Sequence, residues 1–218
     1  MPNVSTEDYL KAVLKLRGRG ERVTTSALAS HLDVADASVT DMVKKLSSRK
    51  LLRYRPYRGV ELTDAGHRLA IKMMRRHRLW EMFLTKFLAY TWDEVHDEAE
   101  LLEHVTSEKM EHRIDQALGF PKLDPHGDPI PTAEGKLDST ENPSLNQFTD
   151  GDKVEVLRVS DASPAILQHA SKLGLQLNTR VSVKEKLEFD GSMRVKIGTK
   201  ERYISRQVAE AIFVKPVK

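Results

Sequence analysis

A chain of 218 residues with 39% hydrophobic content can bury two or three small cores. It has no cysteine, which excludes disulfides, thiolate zinc fingers and iron–sulfur clusters, and no apolar run is long enough to span a membrane. The net charge of +3 is unevenly spread: residues 1–78 carry 17 Lys/Arg against 8 Asp/Glu, residues 79–145 carry 5 against 15, and residues 146–218 carry 13 against 9. A basic first third suits a polyanion such as DNA, and an acidic middle suits cations. The start shows no secretory pattern, so the cytoplasm is the expected compartment.

In chain order, Ser5 or Thr6 caps a first helix whose stripe is Leu10, Val13, Leu14 and Leu16, ended by Gly18 and Gly20. A short helix from Thr24 or Thr25 through Leu32, a turn at Asp33–Ala35, and a helix from Ala37 to Leu46 read as helix-turn-helix. Leu51 to Thr63 reads as two short strands around a basic, aromatic Pro56/Gly59 turn, a wing. Helices from about Asp64 to about Leu88 and from about Trp92 to about Leu118 follow, the second stopped by Gly119-Phe120-Pro121.

Residues 121–147 hold five of the nine prolines and read as a linker. Beyond them Val154–Val159, Val181–Lys184, Met193–Ile197 and Tyr203-Ile204 read as strands, with a helix near Pro164–Leu173 between. The expected fold is mainly α with a small β part: a winged helix-turn-helix over 1–66, a helical domain over 67–120, the linker over 121–147, and a barrel-like β domain over 148–218.

A recognition helix reaches the major groove with small N-terminal side chains. Ala35, Ala37, Ser38, Thr40 and Asp41 occupy that stretch. Ser38 and Thr40 suit phosphates, Ala37 a thymine methyl and Asp41 a cytosine amine, while Lys44 and Arg58 supply sequence-blind attraction. A helical hairpin with a solvated basic face is the bland alternative, and the wing in the right place argues against it.

His77, Glu81, His96, Glu98, Glu100, Glu103 and His104 put seven oxygen and imidazole donors within 28 residues. Glu100, Glu103 and His104 stand at i, i+3 and i+4, on one helix face, and Asp8 on the first helix offers another carboxylate. Like charges at that spacing repel unless a cation sits among them. Hard donors without thiolate favour Mn²⁺ or Fe²⁺ over copper, although Zn²⁺ also binds such sets. A metal site joined to a DNA reader indicates a metal-sensing regulator.

Five motifs carry a resemblance: Asp8-Tyr9-Leu10, Leu62-Thr63-x-x-Gly66, Arg76-His77-Arg78-Leu79-x-Glu81, Val95-His96-Asp97-Glu98-Ala99-Glu100-x-x-Glu103-His104, and Gly119-Phe120-Pro121-x-x-Asp124-Pro125-His126-Gly127. They resemble the diphtheria toxin repressor family over essentially the whole chain. The resemblance implies a homodimeric, metal-dependent repressor with an N-terminal winged helix, a helical dimerisation and metal domain, and a C-terminal SH3-like (FeoA-like) domain. Iron-type members carry Met where Asp8 stands and Cys where Glu100 stands, so the chain is similar to the manganese-type branch. The pattern implies one site of Asp8, Glu100, Glu103 and His104 with His77 beside it. A second site would draw either on His77, Glu81 and His96 or on Glu81, Asp124, His126 and Asp161. Lys11 stands where short manganese-type members have an acid, which implies two separated sites rather than one closely spaced cluster.

The expected activity is therefore repression at palindromic operator DNA of metal-transport genes, with Mn²⁺ as activator, Fe²⁺ as the alternative metal, and Zn²⁺ or Co²⁺ able to stand in. No organic cofactor, membrane partner or enzymatic activity is expected. A di-metal carboxylate oxidase needs Glu-x-x-His on two helices, but Leu101 stands three before His104. No His-Glu-x-x-His marks a zinc hydrolase. A winged-helix regulator answering to a small organic ligand is the remaining rival; in that case chelators leave DNA binding unchanged.

Overall fold

The computed structural model describes residues 5–18, 20, 22–55, 58–138 and 142–217. Pro56 and Tyr57 of the expected wing turn lie outside the described residues. The chain forms two compact units. One comprises residues up to His77 together with Leu102–Ser107 and Pro131–Leu137; the other comprises Arg78–Leu101, Glu108–Ile130 and the chain from Asp138 onward.

In the first unit, α1 (Thr6–Gly18) is followed by α2 (Thr25–Leu32), α3 (Asp36–Ser48), the strands β1 (Leu52–Arg55) and β2 (Gly59–Leu62), and the start of α4 (Asp64–Leu88). Ser5 opens α1 with a capping box: its Oγ accepts from the Glu7 and Asp8 amides, and Asp8 Oδ2 accepts from the Ser5 amide at 2.7 Å. Thr24 Oγ1 accepts from the Ala27 amide to cap α2, and Asp33 closes it in the left-handed conformation (φ 52°), which a short polar side chain tolerates. The turn thus formed sets α3 against α2, burying Val39, Val43 and Leu46 at i, i+4 and i+7 with Leu10, Val13 and Leu28.

The two-stranded ribbon pairs Leu52 with Leu62 and Tyr54 with Val60 in antiparallel register. Thr63 Oγ1 then accepts from the Gly66 amide while donating to the Lys50 and Leu51 carbonyls, so it ties the wing to the start of α4. A Cβ on Gly66 would stand 2.0 Å from the Leu51 carbonyl oxygen, so only glycine passes here.

The helix expected from Trp92 to Leu118 is instead two helices, α5 (Val95–Val105) and α6 (Glu108–Leu118), with Trp92–Glu94 in a turn. Thr106 donates its hydroxyl back to the Leu102 carbonyl at 2.6 Å, and a Thr-Ser pair before Glu108 favours a cap over continued helix.

The second unit holds the end of α4, the start of α5, α6 and an all-antiparallel five-stranded sheet of order β6-β5-β4-β3-β7. The strands are β3 (Lys153–Val159), β4 (Arg180–Lys186), β5 (Met193–Ile197), β6 (Lys200–Ile204) and β7 (Ile212–Pro216), with α7 (Pro164–Leu173) and α8 (Arg206–Ala211) beside them. Alternate residues Val154 and Val156, Val181 and Val183, and Met193 and Val195 fill the core. The last strand expected from the sequence is Tyr203-Ile204. The structure adds α8 and β7, and β7 pairs with β3, placing last strand beside first.

The segment expected to be a plain linker is partly buried structure. Asp124 Oδ1 accepts from the His126 and Asp128 amides, both at 2.9 Å, and Leu123 bridges Pro129. The Val159 amide donates to the His126 carbonyl, and Gly127 (φ 90°) passes so close to β3 that a Cβ would stand 2.2 Å from the Leu157 oxygen. The prolines stiffen a loop that side chains then lock in place.

Candidate metal centre and nucleic-acid interface

The first cluster grows from the capping box and from α5. With Oδ2 engaged by the Ser5 amide, Asp8 turns Oδ1 toward His104, 2.9 Å from its Nε2 but accepting no hydrogen bond although buried. Single ligating atoms of Asp8, Glu103 and His104 lie within 4.8 Å of one another. His104 Nδ1 meets Glu7 Oε2 at 2.8 Å, a contact the sequence reading did not foresee. Glu103 is fully buried, held by His77 Nδ1 at 2.6 Å on one oxygen and by the Lys11 ammonium at 2.7 Å on the other. Glu100 precedes Glu103 and His104 on α5 by three and four residues, so helix periodicity sets it on their face.

Glu81 leads the second cluster. It lies on α4 at 1% exposure, four residues after His77. Its Oε1 is 3.6 Å from His96 Nδ1 and its Oε2 is 3.8 Å from His126 Nδ1. Ligating atoms of Glu81, Asp124 and His126 all fall within 4.8 Å, and all three residues are buried. His126 donates from Nε2 to the Trp92 carbonyl at 2.6 Å, because a carbonyl can only accept, and its buried Nδ1 has no hydrogen-bond partner. Asp161 is not among the three clustered ligands, although its charge acts on His126.

Burial, then Glu81 and Asp128, push the Asp124 carboxyl up to about 7, against the opposing pull of His126 and Arg78. For His126 burial alone favours the neutral ring, but Glu81 and Asp124, then the Trp92 carbonyl and Asp161, outweigh it and the net direction is up. Buried carboxylates around a lone imidazole nitrogen need either a shared proton or a cation. Both clusters offer oxygen and imidazole only, and each holds one buried atom without a hydrogen-bond partner, Asp8 Oδ1 in the first and His126 Nδ1 in the second, so a hard or borderline divalent ion fits them.

In the first unit Ala35, Ala37, Ser38, Asp41 and Lys44 are exposed along the start and middle of α3. Thr40 is half-buried and donates its hydroxyl to the Asp36 carbonyl at 3.0 Å, which engages the proton expected to reach a phosphate. Arg58 has company the sequence reading left out: Arg22, Arg53, Arg55 and Arg58 line one cavity of about 380 Å³ beside the wing. Their signal was the i, i+2 spacing of Arg53 and Arg55, which puts both on one side of β1.

A winged helix carrying an arginine cluster, followed by helices bearing buried carboxylate–histidine groups, defines a DNA-binding regulator with metal-binding capacity. Models of known families match in the same order: the iron dependent repressor N-terminal DNA binding domain over 3–60, the iron dependent repressor metal binding and dimerisation domain over 63–132, and the FeoA domain over 144–216.

The diphtheria toxin repressor of Corynebacterium efficiens is 31% identical over 192 residues, 82% of each chain. The iron-dependent repressor IdeR of Mycobacterium tuberculosis is 39% identical over 127 residues, 58% of this chain and 55% of that protein, so the chain spans little more than half the length of that relative. Among solved structures, a manganese-dependent transcriptional repressor in complex with manganese superposes with a TM-score of 0.91 at 39% identity, covering 98% of this chain and 100% of the other. The manganese regulator SloR gives 0.82 at 31% identity over 99% and 100%. The chain belongs to the diphtheria toxin repressor family, a family of metal-dependent DNA-binding transcriptional repressors and not of enzymes.

Proposed function

We propose that this protein is a manganese-responsive repressor that binds palindromic operator DNA as a homodimer, in the cytoplasm, and controls metal-transport genes. One observation carries the choice of metal: every clustered donor is a carboxylate or an imidazole, with Asp8 on α1 and Glu100 on α5 where iron-type members carry sulfur. The solved structures named for manganese add support, while the IdeR relative keeps an iron-responsive regulator as the second reading.

The residue roles follow the two clusters. Asp8, Glu100, Glu103 and His104 form the site that joins α1 to α5, with His77 orienting Glu103. Glu81, Asp124 and His126 form a second, buried site to which Asp161 adds negative charge, and His96 flanks Glu81. A bound divalent cation supplies the positive charge that lets these carboxylates stay together ionised. Without it Asp8, Glu100 and Glu103 repel, and the winged helix (1–66) has no fixed relation to the dimerising helices (67–120). With the carboxylates drawn together, two copies hold their α3 helices at the spacing that successive half-sites require. The linker (121–147) and C-terminal domain (148–218) bring Asp124, His126 and Asp161 to the second site.

On the DNA, Ala35, Ala37, Ser38 and Asp41 face the bases or backbone from α3, Lys44 with the wing arginines meets phosphate, and Thr40 reaches a phosphate only by releasing its hydroxyl from the Asp36 carbonyl. Fluorescence anisotropy of a labelled palindromic promoter duplex, at fixed salt with chelator and then with Mn²⁺, anaerobic Fe²⁺ or Zn²⁺, tests the reading. Tight binding with Mn²⁺, abolished in Glu103→Ala, is expected. Activation by Fe²⁺ and not Mn²⁺ moves the protein to the iron branch, and equal binding in chelator removes metal sensing.

A further inference from the structure

We propose that Trp92 is the positioning residue for His126, held in turn by Ser171, and that this chain of contacts sets the affinity of the Glu81–Asp124–His126 group for a divalent cation. The inference rests on the reading of that group as a metal site. Three contacts converge on Trp92, in the turn between α4 and α5. Its carbonyl accepts from His126 Nε2 at 2.6 Å, its indole lies nearly parallel to the imidazole (centroids 6.1 Å apart, planes 18° apart), and its Nε1 donates to Ser171 Oγ on α7 at 2.7 Å.

The carbonyl fixes which nitrogen bears the proton. With hydrogen on Nε2, the neutral ring presents the Nδ1 lone pair toward Glu81 and Asp124, at 3.8 and 3.9 Å from their oxygens. The stacked indole fixes the plane of the ring, so Nδ1 cannot swing away without parting from Trp92. The indole itself is braced against the core of the β sheet on one side, but it also borders a cavity of about 800 Å³ that Ser171 and Asp124 line. Space on that side leaves the Ser171 hydroxyl as the polar anchor that stops the ring from tipping into it. A side chain on α7 therefore acts on a metal site it does not touch.

The test uses the full chain. Mn²⁺ binding is followed by electron paramagnetic resonance of the free ion in the parent, His126→Ala, Ser171→Ala and Ser171→Thr. In a Trp80→Phe background, where Trp92 is the one remaining tryptophan of two, its emission is followed as well. Loss of one Mn²⁺ equivalent in His126→Ala is expected, and with it loss of the emission change. Ser171→Ala is expected to weaken that equivalent by about tenfold, with circular dichroism and the other equivalent unchanged, and Ser171→Thr to restore it. If His126→Ala keeps full stoichiometry, the metal-site reading itself falls and the positioning role with it. If His126→Ala loses the equivalent while Ser171→Ala binds like the parent, or weakens both equivalents alike, only the positioning role is overturned.

Discussion

Lys11 reaches across to Glu103 with its ammonium 2.7 Å from an oxygen that is otherwise fully buried. It supplies, in the metal-free chain, part of the charge a cation would bring, and a ligand entering that site competes with it. Lys11→Gln removes the competitor and leaves Glu103 with less compensation. In chelator the variant should lose about 1–3 kcal/mol by denaturant unfolding, and by calorimetry it should bind Mn²⁺ more tightly. An unchanged unfolding midpoint would show that the ammonium contributes nothing there.

Asp124 makes the complementary case. Its carboxyl is raised from 3.8 to about 7, so the folded state holds a proton that the unfolded chain releases. That contribution to stability is complete below the ordinary value and is lost as pH rises through about 7. Chelated parent protein should therefore weaken across this window, whereas Asp124→Asn, which has nothing to ionise, should show a shallower slope. Parallel pH–stability curves for the two would contradict the raised carboxyl. Metal binding at this cluster should tighten with pH over the same window, because the ligands must shed protons.

At the scale of elements, glycines decide where the site loops can run. Gly127→Ala asks for a positive φ and puts a Cβ 2.2 Å from the Leu157 oxygen, which should cost about 2 kcal/mol and pull His126 out of line with Glu81. A thermal melt together with Mn²⁺ stoichiometry would check both halves; a stable variant with full stoichiometry would show that the loop tolerates the shift.

Elements with strong punctuation were legible from sequence. The stripe of the first helix, the turn at Asp33 and the two strands of the wing appear where spacing and turn residues put them, and of the two caps that the sequence offers the structure uses Ser5. The break at Thr106-Ser107 was not, because apolar spacing continues through it and the deciding hydrogen bond is a hydroxyl turned back on its own helix. Strand β7 escaped because three apolar residues, Ile212-Phe213-Val214, carry no period of their own; pairing with β3 defines them. Of the candidate site, the residues that cluster could be named from motif, but Glu7 on His104, Lys11 on Glu103 and Trp92 on His126 are meetings across long sequence separations. No spacing rule announces them.

Across the whole molecule, charge is partitioned by task. The basic first third carries the α3 face and the arginines beside the wing, and the acidic middle carries most of the residues proposed to hold a cation. Arg58→Ala should weaken specific and random duplexes alike and reduce the slope of log affinity against log salt by about 1 for each phosphate that the guanidinium neutralises. A weakening confined to one sequence would instead make Arg58 a reader of bases.

The capping box at the start of α1 gives Asp8 two employers. One oxygen secures the Ser5 amide and so the first turn of the helix, and the other faces the cluster around His104. Exchanging this carboxylate for a thioether to favour a softer metal therefore also strips the helix of its reciprocal cap, worth about 1 kcal/mol. On the proposed role of Asp8 as a ligand, a change of metal preference at this position also costs the first helix part of its cap. A single substitution at Asp8 therefore tests the helix start and the proposed ligand together, one oxygen for each.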